Sequence, residues 1–500
     1  MVPTVTEQGT PVPGHASRTL SPGSPPYRAR PMRLRLLVST LAALGGLAAA
    51  DVPSSTSAGK NSESYPGPRF GGGQQRSVII RGMLGFDVLS QGQYLSGNSK
   101  ESDHRGYGNI RAELGAKVRL DEQVAVVITL AYEAEAGDNT GNDPYGQTNS
   151  GFMVVDDAYA ELNEVLGFES VGMKLGRQPV AWNLRDGHGA FLYDSAANHP
   201  KVTSWDGGKA SWNVVDGVDV SPFAFSVPGA STLFGGAIDW KPAKSGDSRT
   251  FLTGMATWEV NAPDLRVNPV GATGPSSTES GDGQATFSPR KTGSRLGTYY
   301  GGADFYLGDL EVFAEGAMQN GNQYNGIKYA GYGLSGGLDW HLYPAQALVV
   351  GLQVDHLSGD NDPNDGVNRN FVNTWEGTSD TYIVENEHYG ELSRYLTGNL
   401  QAAKLHAGVA FDSRNKVRLD AIFAYYKTAQ PVTRTAGGQD ARVFGKEGDL
   451  TLTWKYTYDA TIRLFAGGFL PSGAYENVAP SPNASTDVIY MLGGNLTVLF

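Results

Sequence analysis

The amino-acid sequence predicts an all-β protein: a transmembrane antiparallel β-barrel of about 18 strands with long extracellular loops. Glycine accounts for 66 of 500 residues, while charged residues make up only 18%. Segments of about ten residues alternate apolar and polar side chains along most of the chain, and the last one ends in Phe500. This period of two is typical of strands whose two faces meet different environments. The chain has no cysteine, which excludes disulfides, thiolate metal sites and cysteine nucleophiles.

The first fifty residues carry processing information. Arg33 and Arg35 precede a short apolar run and a small-residue cleavage site before Asp51, which is the pattern of a signal peptide. The apolar run is too short to cross a bilayer, which takes about 20 residues. The predicted divisions are a non-native upstream extension at 1–31, a signal peptide at 32–50, a flexible segment at 51–75 and a barrel at 76–500.

The strands are read from the alternation itself. Between Ile110 and Leu120 the even positions are apolar, whereas the odd positions include Arg111, Glu113 and Lys117. The same pattern predicts strands at 76–89, 108–120, 123–135, 152–163, 170–178, 204–213, 216–227, 231–241, 249–260, 296–307, 309–319, 329–342, 345–357, 402–412, 416–427, 447–458, 460–469 and 486–500.

Three features predict that the apolar faces point outward to lipid. The segments have the length that a tilted strand needs to cross a bilayer. The alternating segment that ends at Phe500 is suited to pair with the first strand and leave no sheet edge. Aromatic residues near segment ends suit interfacial girdles: Trp240, Trp258, Tyr306, Trp340, Tyr343, Tyr456 and Tyr458.

The connections alternate between long and short. A nineteenth strand at Leu392–Leu400 is rejected, because bacterial barrels usually have an even strand number. With eighteen strands, all long connections fall on one side, which is then extracellular, and those at 179–203 and 358–401 are long enough to fold inward as constrictions. A barrel of this size encloses a lumen.

Several motifs resemble the alginate export family of outer-membrane β-barrel porins. They are LGRQPVAWNLRDG from Leu175, TSWDGGKASW from Thr203, SGDNDPNDG from Ser358, ENEHYGELS from Glu385, FGKEGDLTLTWKY from Phe444 and PSGAY from Pro471. The resemblance implies a monomeric eighteen-stranded barrel whose lumen presents arginines and lysines to an anionic polyuronate. It also implies that Arg177 and Arg185 belong to that set. Arg177, however, shares its parity with apolar Leu175, so it is expected past the membrane rim or beyond a bulge.

Parity alone predicts which charges face the lumen. Arginine could hold a uronate carboxylate through two hydrogen bonds. The predicted inward cations are Arg81, Arg111, Lys117, Arg119, Lys174, Lys209, Lys404, Arg418, Lys455 and Arg463. The predicted inward acids are Asp87, Glu113, Glu133, Asp157, Glu161, Asp239, Glu311, Glu315, Asp339, Asp355, Asp420 and Asp449. The cations could form a substrate-binding stripe if the acids lie on another wall, or the charges could simply pair across strands.

Catalytic and metal motifs are weak. The glycines of residues 331–336 fit a dinucleotide fingerprint, but they lie in an alternating strand without a following helix. Asp360, Asp362 and Asp365 resemble a calcium loop with a misplaced glycine, so only loose calcium binding is expected there. We expect no enzyme activity and no cofactor.

The predicted function is passive export of an alginate-like anionic polysaccharide across the bacterial outer membrane, through a charged lumen in a monomeric barrel. Expected partners are the polysaccharide, outer-membrane lipid and a periplasmic export machine. Nucleic acid is not expected as a partner, because the chain has a net charge of -12. The alternatives are a general or solute-specific diffusion porin for small molecules, a surface protease or lipase built on the barrel, and a structural role in the envelope.

Overall fold

The alternating segments form eighteen long antiparallel strands in the described part of the chain. In this computed structural model they are β1 Ser77–Gly92, β2 Arg105–Arg119, β3 Val124–Ala136, β4 Phe152–Leu162, β5 Val171–Gln178, β6 Trp205–Val215, β7 Val218–Val227, β8 Ser231–Trp240, β9 Arg249–Val260, β10 Arg295–Leu307, β11 Leu310–Asn322, β12 Tyr332–Tyr343, β13 Leu348–Leu357, β14 Leu400–Ala410, β15 Val417–Thr433, β16 Asp440–Lys455, β17 Ala460–Pro471 and β18 Ile489–Leu499. The predicted strand number is confirmed.

The structure describes only part of the remaining chain. The described residues are 69–70, 77–93, 99–100, 104–136, 152–182, 191, 204–227, 231–242, 249–261, 293–323, 326–343, 347–362, 365–372, 380–385, 392, 398–412, 414, 416–433, 440–479 and 484–500. The predicted extension, the signal peptide and nearly all of the flexible segment lie outside them. Among the described residues are also three two-residue strands, Arg69–Phe70, Lys328–Tyr329 and Val367–Asn368, a 3-10 turn at Val165–Gly167 and a short helix, α1, at Gly473–Val478. No helix in the described part has the length and apolar character that a membrane crossing requires.

The first and last long strands pair and close the barrel. Met83 in β1 lies opposite Leu499 in β18, and the antiparallel ladder continues to Gly92 opposite Tyr490. The backbone of Phe500 exchanges hydrogen bonds with Gly82, with N···O distances of 2.7 and 3.0 Å. Closure leaves no unpaired edge on either strand.

The polarity of the barrel is inverted, as predicted. In β3, Ile128 and Leu130 on the outer face are 51% and 42% exposed, whereas Thr129 and Glu133 on the inner face are each 3% exposed. A soluble barrel would bury the apolar set instead. The apolar faces therefore contact acyl chains, and the polar faces enclose the lumen.

Aromatic side chains mark both edges of the apolar band. Of the predicted girdle residues, Trp240, Trp258, Trp340, Tyr456 and Tyr458 are exposed on the outside. Tyr306 is an exception, because it lies opposite the buried, inward-facing Glu311. The side chain of Tyr343 lies outside the described residues.

The longest connections lie on one side of the barrel. The connections at 120–123, 216–217 and 308–309 join strands at the periplasmic side, while 179–204 and 358–399 lie at the extracellular side. The predicted strand bounds agree with the observed ones within a few residues for most strands. The hairpin of β15 and β16 is longer than predicted, because its ladder resumes beyond irregularities near Lys427 and reaches Thr433 opposite Asp440. Such irregularities interrupt the alternation on which the prediction depends.

Candidate functional site

Two extracellular loops reach into the lumen and pack against its wall. The ring centre of Trp182, from the loop at 179–204, lies 4.4 Å from that of Phe223 on β7. Phe191 of the same loop lies 5.3 Å from Phe371, which belongs to the loop at 358–399. Both loops thus narrow the lumen, as predicted. The buried cluster consists of Val180, Trp182, Phe191, Trp205, Phe223, Phe225, Val227, Leu233, Ala237, Phe251, Met255, Tyr300, Phe313, Ala317 and Phe371.

The loop at 358–399 also reaches the opposite wall. Its residues Ile383 and Val384 are completely buried in a second apolar cluster with inward side chains of β14 to β18. Both backbone N–H groups donate to the carboxylate of Glu447 on β16, at 2.6 and 3.0 Å. The carboxylate of Asp449, two residues along the same strand, accepts the N–H of Tyr382 at 2.9 Å. Wall carboxylates therefore hold the loop backbone directly.

Arg111 is the centre of an ion-pair network on the inner face of β2. Its guanidinium lies 2.6 Å from Glu113, 3.1 Å from Asp156 and 3.6 Å from Glu133. Asp156 faces inward together with Asp157 because the register between β3 and β4 shifts at this point. Period-two parity could not place both acids inside, so Asp156 was missed. Arg111 is thus neutralised by its own wall.

The other inward cations of β1 to β5 are also paired. Arg81 lies 3.5 Å from Asp157. Lys117 and Lys174 both contact the carboxylate of Glu161, and the second contact measures 3.3 Å. These pairs leave little free positive charge on this wall.

Two further predicted cations have other partners. The ammonium group of Lys209 on β6 lies 4.6 Å from the ring centre of Trp182, within reach of a cation–π interaction. Arg418 on β15 donates to Asp420 at 2.7 Å. Sequence reasoning missed Trp182 as a lumen residue. Trp182 lies in a loop, where no alternation of apolar and polar residues indicates which way a side chain points.

Three inward cations have no described side-chain hydrogen bond or ion pair: Arg119, Lys455 and Arg463. Arg119 ends β2 and Lys455 ends β16, each directly before a periplasmic turn, while Arg463 is the fourth residue of β17 after such a turn. Lys455 and Arg463 are close, because Thr461 lies opposite Lys455 and shares its face with Arg463. We call these three residues the entrance cations. They mark the periplasmic end of the lumen.

Of the two arginines that the family resemblance assigns to the lumen, only Arg177 lies in the described part of the chain. Arg177 faces outward with the exposed Leu175, near the extracellular end of β5, and forms two hydrogen bonds with Asp206 at 2.9 and 2.7 Å. The structure thus places Arg177 on the outer surface, in agreement with its parity and apart from the lumen set. Arg185 lies outside the described residues.

The charges of the lumen are segregated. Within β8 to β13 themselves, no lysine or arginine with a described side chain faces inward. Directly after β8, Lys241 lies 3.8 Å from Asp219 on β7 and 5.4 Å from the ring centre of Phe251 on β9. Within the described strands, the inward lysines and arginines lie on β1 to β6 and on β14 to β17. The inward acids of β8 to β13 are Asp239, Glu259, Asp304, Glu311, Glu315, Asp339 and Asp355. Parity within β9, β10 and β16 could have added Glu259, Asp304 and Glu447 to the predicted set, whereas the loop acids Asp380 and Glu385 had no such signal.

The predicted calcium loop has no cluster of ligands. Arg369 lies 3.6 Å from Asp360 and 2.6 Å from Asp365, and the hydrogen bond from Arg369 lowers the pKa of Asp365. Asp360 also accepts the backbone N–H of Asp362 at 3.2 Å. No group of three or more metal-binding side chains occurs within the described ranges. The structure therefore offers no support for the expected calcium site.

Sequence comparison identifies one family. The family model described as alginate export matches residues 98–488. No curated protein matches the chain significantly.

Solved structures share the barrel fold at low sequence identity. OccAB1 of Acinetobacter baumannii superposes with a TM-score of 0.53 at 10% identity, covering 85% of this chain and 96% of that protein. OccAB4 of the same organism gives 0.52 at 11% identity, with 85% and 99% covered. OpdK of Pseudomonas aeruginosa, solved with vanillate, gives 0.50 at 10% identity, with 84% and 98% covered. At these identities the likeness is one of fold.

Proposed function

The chain belongs to the alginate export family, and on this premise we propose that it carries an alginate-like anionic polysaccharide outward through its lumen. Family and fold make it a channel of the bacterial outer membrane. The proposed passage needs no catalytic group or cofactor. A monomeric barrel would conduct the polysaccharide passively, and a periplasmic export machine would supply the polysaccharide.

The entrance cations carry this proposal. An anionic polymer arriving from the periplasm meets Arg119, Lys455 and Arg463 first, and their charge is not already held by a described carboxylate. Arg111, Lys117 and Lys174, by contrast, lie in ion pairs with acids of the wall. Cations without a described carboxylate partner at the periplasmic end favour recruitment from that side, and an Arg guanidinium suits a uronate carboxylate.

Block of ionic current tests the proposal. The mature protein is inserted into planar bilayers, and polyuronate or a neutral glucan of equal length is added on the periplasmic side. We expect block by polyuronate alone. The double variant Lys455→Gln/Arg463→Gln should weaken it about three- to tenfold, because each solvated ion pair is worth up to about 1 kcal/mol. Arg177→Gln, a matched change on the outer face, should leave the block unchanged. Equal block by both polymers would contradict charge-selective export.

The narrowed lumen favours a second candidate, a diffusion porin for small molecules. The apolar clusters around Trp182 and Ile383 occupy space that a polymer would need. Liposomes containing the protein would then swell in small neutral sugars at rates that depend on solute size, and polyuronate would not block the current.

A further inference from the structure

The loop segment at 380–385 is attached to the lumen wall through Lys404. The ammonium of Lys404, on β14, lies 2.6 Å from Asp380 and 2.8 Å from Glu385 of the segment, and 2.8 Å from Asp355 on β13. The Lys404 side chain is only 5% exposed, and those of Glu385 and Asp355 are each 12% exposed. One buried cation thus holds three carboxylates, two of which come from the loop. We call this segment and its wall contacts the seat.

Negative groups outnumber positive ones in the seat. Glu447 and Asp449 on β16 bind the segment's backbone and add two carboxylates to the three on Lys404. From β15, Tyr426 contributes a hydroxyl, 2.8 Å from that of Thr381. From β17, Arg463 is close enough to act electrostatically on Tyr382. With all five carboxylates ionised, repulsion among them would oppose the attraction of Lys404.

We propose that the seat is a proton-operated latch, in which the segment at 380–385 stays docked in the lumen while Glu385 is protonated and is released when Glu385 ionises. This inference concerns the regulation of the proposed channel and rests on that function. The segment occupies the lumen when docked, because Ile383 and Val384 are buried against the inner faces of β14 to β18. Release therefore widens the passage.

The direction of the pH dependence follows from the burial of Glu385. Burial, together with Asp380 and Asp355, raises the pKa of Glu385 to about 7, against 4.5 for an ordinary glutamate, although Lys404 opposes the shift. At a pH between these two pKa values, the Glu385 carboxyl keeps its proton in the docked segment and loses it in the released segment. Docking is therefore strongest below about pH 4.5 and weakens as the pH rises to about 7. Ionisation of Glu385 by itself changes the docking equilibrium by at most about tenfold per pH unit, the limit for a single proton.

Thiol labelling measures docking without any substrate. The chain has no native cysteine, so Ile383→Cys introduces a single thiol at a fully buried position of the segment. The labelling rate of this variant is divided by that of the double variant Ile383→Cys/Glu385→Gln. In the double variant an amide that does not ionise replaces the carboxyl of residue 385. The pH dependence of the thiol itself is the same in both variants and cancels in the ratio. We expect this ratio to rise with pH, by up to about tenfold per unit, and to level off above about pH 7.

A matched control removes a carboxylate that lies away from the seat. Glu161→Gln changes an acid held by Lys117 and Lys174 on the opposite wall, and it should leave the labelling rate of Ile383→Cys unchanged at every pH. A ratio that stays constant between pH 5 and 8 would overturn the latch. The same conclusion would follow if Glu161→Gln acted like Glu385→Gln.

Single-channel current in KCl gives a second readout. Conductance should rise with pH in the wild type and stay low in Glu385→Gln. If Glu385→Gln does not assemble, Asp380→Asn serves instead: it removes one carboxylate that raises the pKa of docked Glu385, so the rise of conductance with pH should become smaller and level off at a lower pH. A pH dependence identical to that of the wild type would contradict the latch. Because no polymer is present, failure here leaves polyuronate passage standing, and loss of polyuronate block leaves the latch standing.

Discussion

Arg111→Leu should destabilise the barrel by about 3 to 5 kcal/mol at neutral pH. The guanidinium contacts Glu113, Asp156 and Glu133 at 2.6 to 3.6 Å, and all four side chains are at most 14% exposed. Leucine fills part of the space but removes the cation that these three carboxylates share. Removing one partner of a buried ion pair costs about this much because the other charge stays desolvated. Arg111→Lys keeps the charge but not the forked geometry and should lose less.

Reversible urea unfolding of the barrel in lipid vesicles, followed by tryptophan fluorescence, measures this loss. The control is Arg177→Leu, which breaks an arginine–carboxylate pair on the outside whose side chains are 38% and 56% exposed. Screening by solvent should limit its effect to less than about 1 kcal/mol. The deficit of Arg111→Leu should also shrink in acid, where protonated carboxyls no longer repel one another. Equal losses for the two variants, or a deficit that does not depend on pH, would refute this reasoning.

Two further predictions concern closure and loop docking. Gly82→Val should slow assembly, because a Cβ at this position overlaps the ring of Phe500. The control Gly448→Val places its Cβ in open space and should assemble normally. The fraction of folded, heat-modifiable protein on gels measures assembly of both variants. Trp182→Ala should expose the loop at 179–204 to protease in the folded barrel, since deleting a buried tryptophan costs about 3 to 5 kcal/mol of packing. An unchanged cleavage rate would show that this ring does not anchor the loop.

The inverted polarity has a consequence for how charge is used in this lumen. Within the described residues, carboxylates and cations pair on the β1 to β6 wall, inward acids outnumber inward cations along β8 to β13, and the entrance cations have no described carboxylate partner. Pairing stabilises a wet interior, while the few unpaired groups are the ones free to bind a passing anion. Specificity for an anion is therefore expected at the entrance rather than along the whole wall.

The sequence by itself determined the strands, their number and the face that each side chain presents. Alternation is a local property: once a residue such as Thr129 is placed inside, every second neighbour follows, and even the outward position of Arg177 could be read from Leu175. Irregularities limited this reading, as at Asp156, where a register shift turns two consecutive acids inward.

Only the tertiary structure decided which inward charges are free and where the long loops lie. Whether Arg111 is neutralised depends on Asp156 and Glu133, which lie on neighbouring strands, and the seat brings Glu385 to Lys404 across a connection without periodicity. Such contacts depend on the positions of side chains brought together by closure of the barrel. A pattern of period two along one strand carries no information about them.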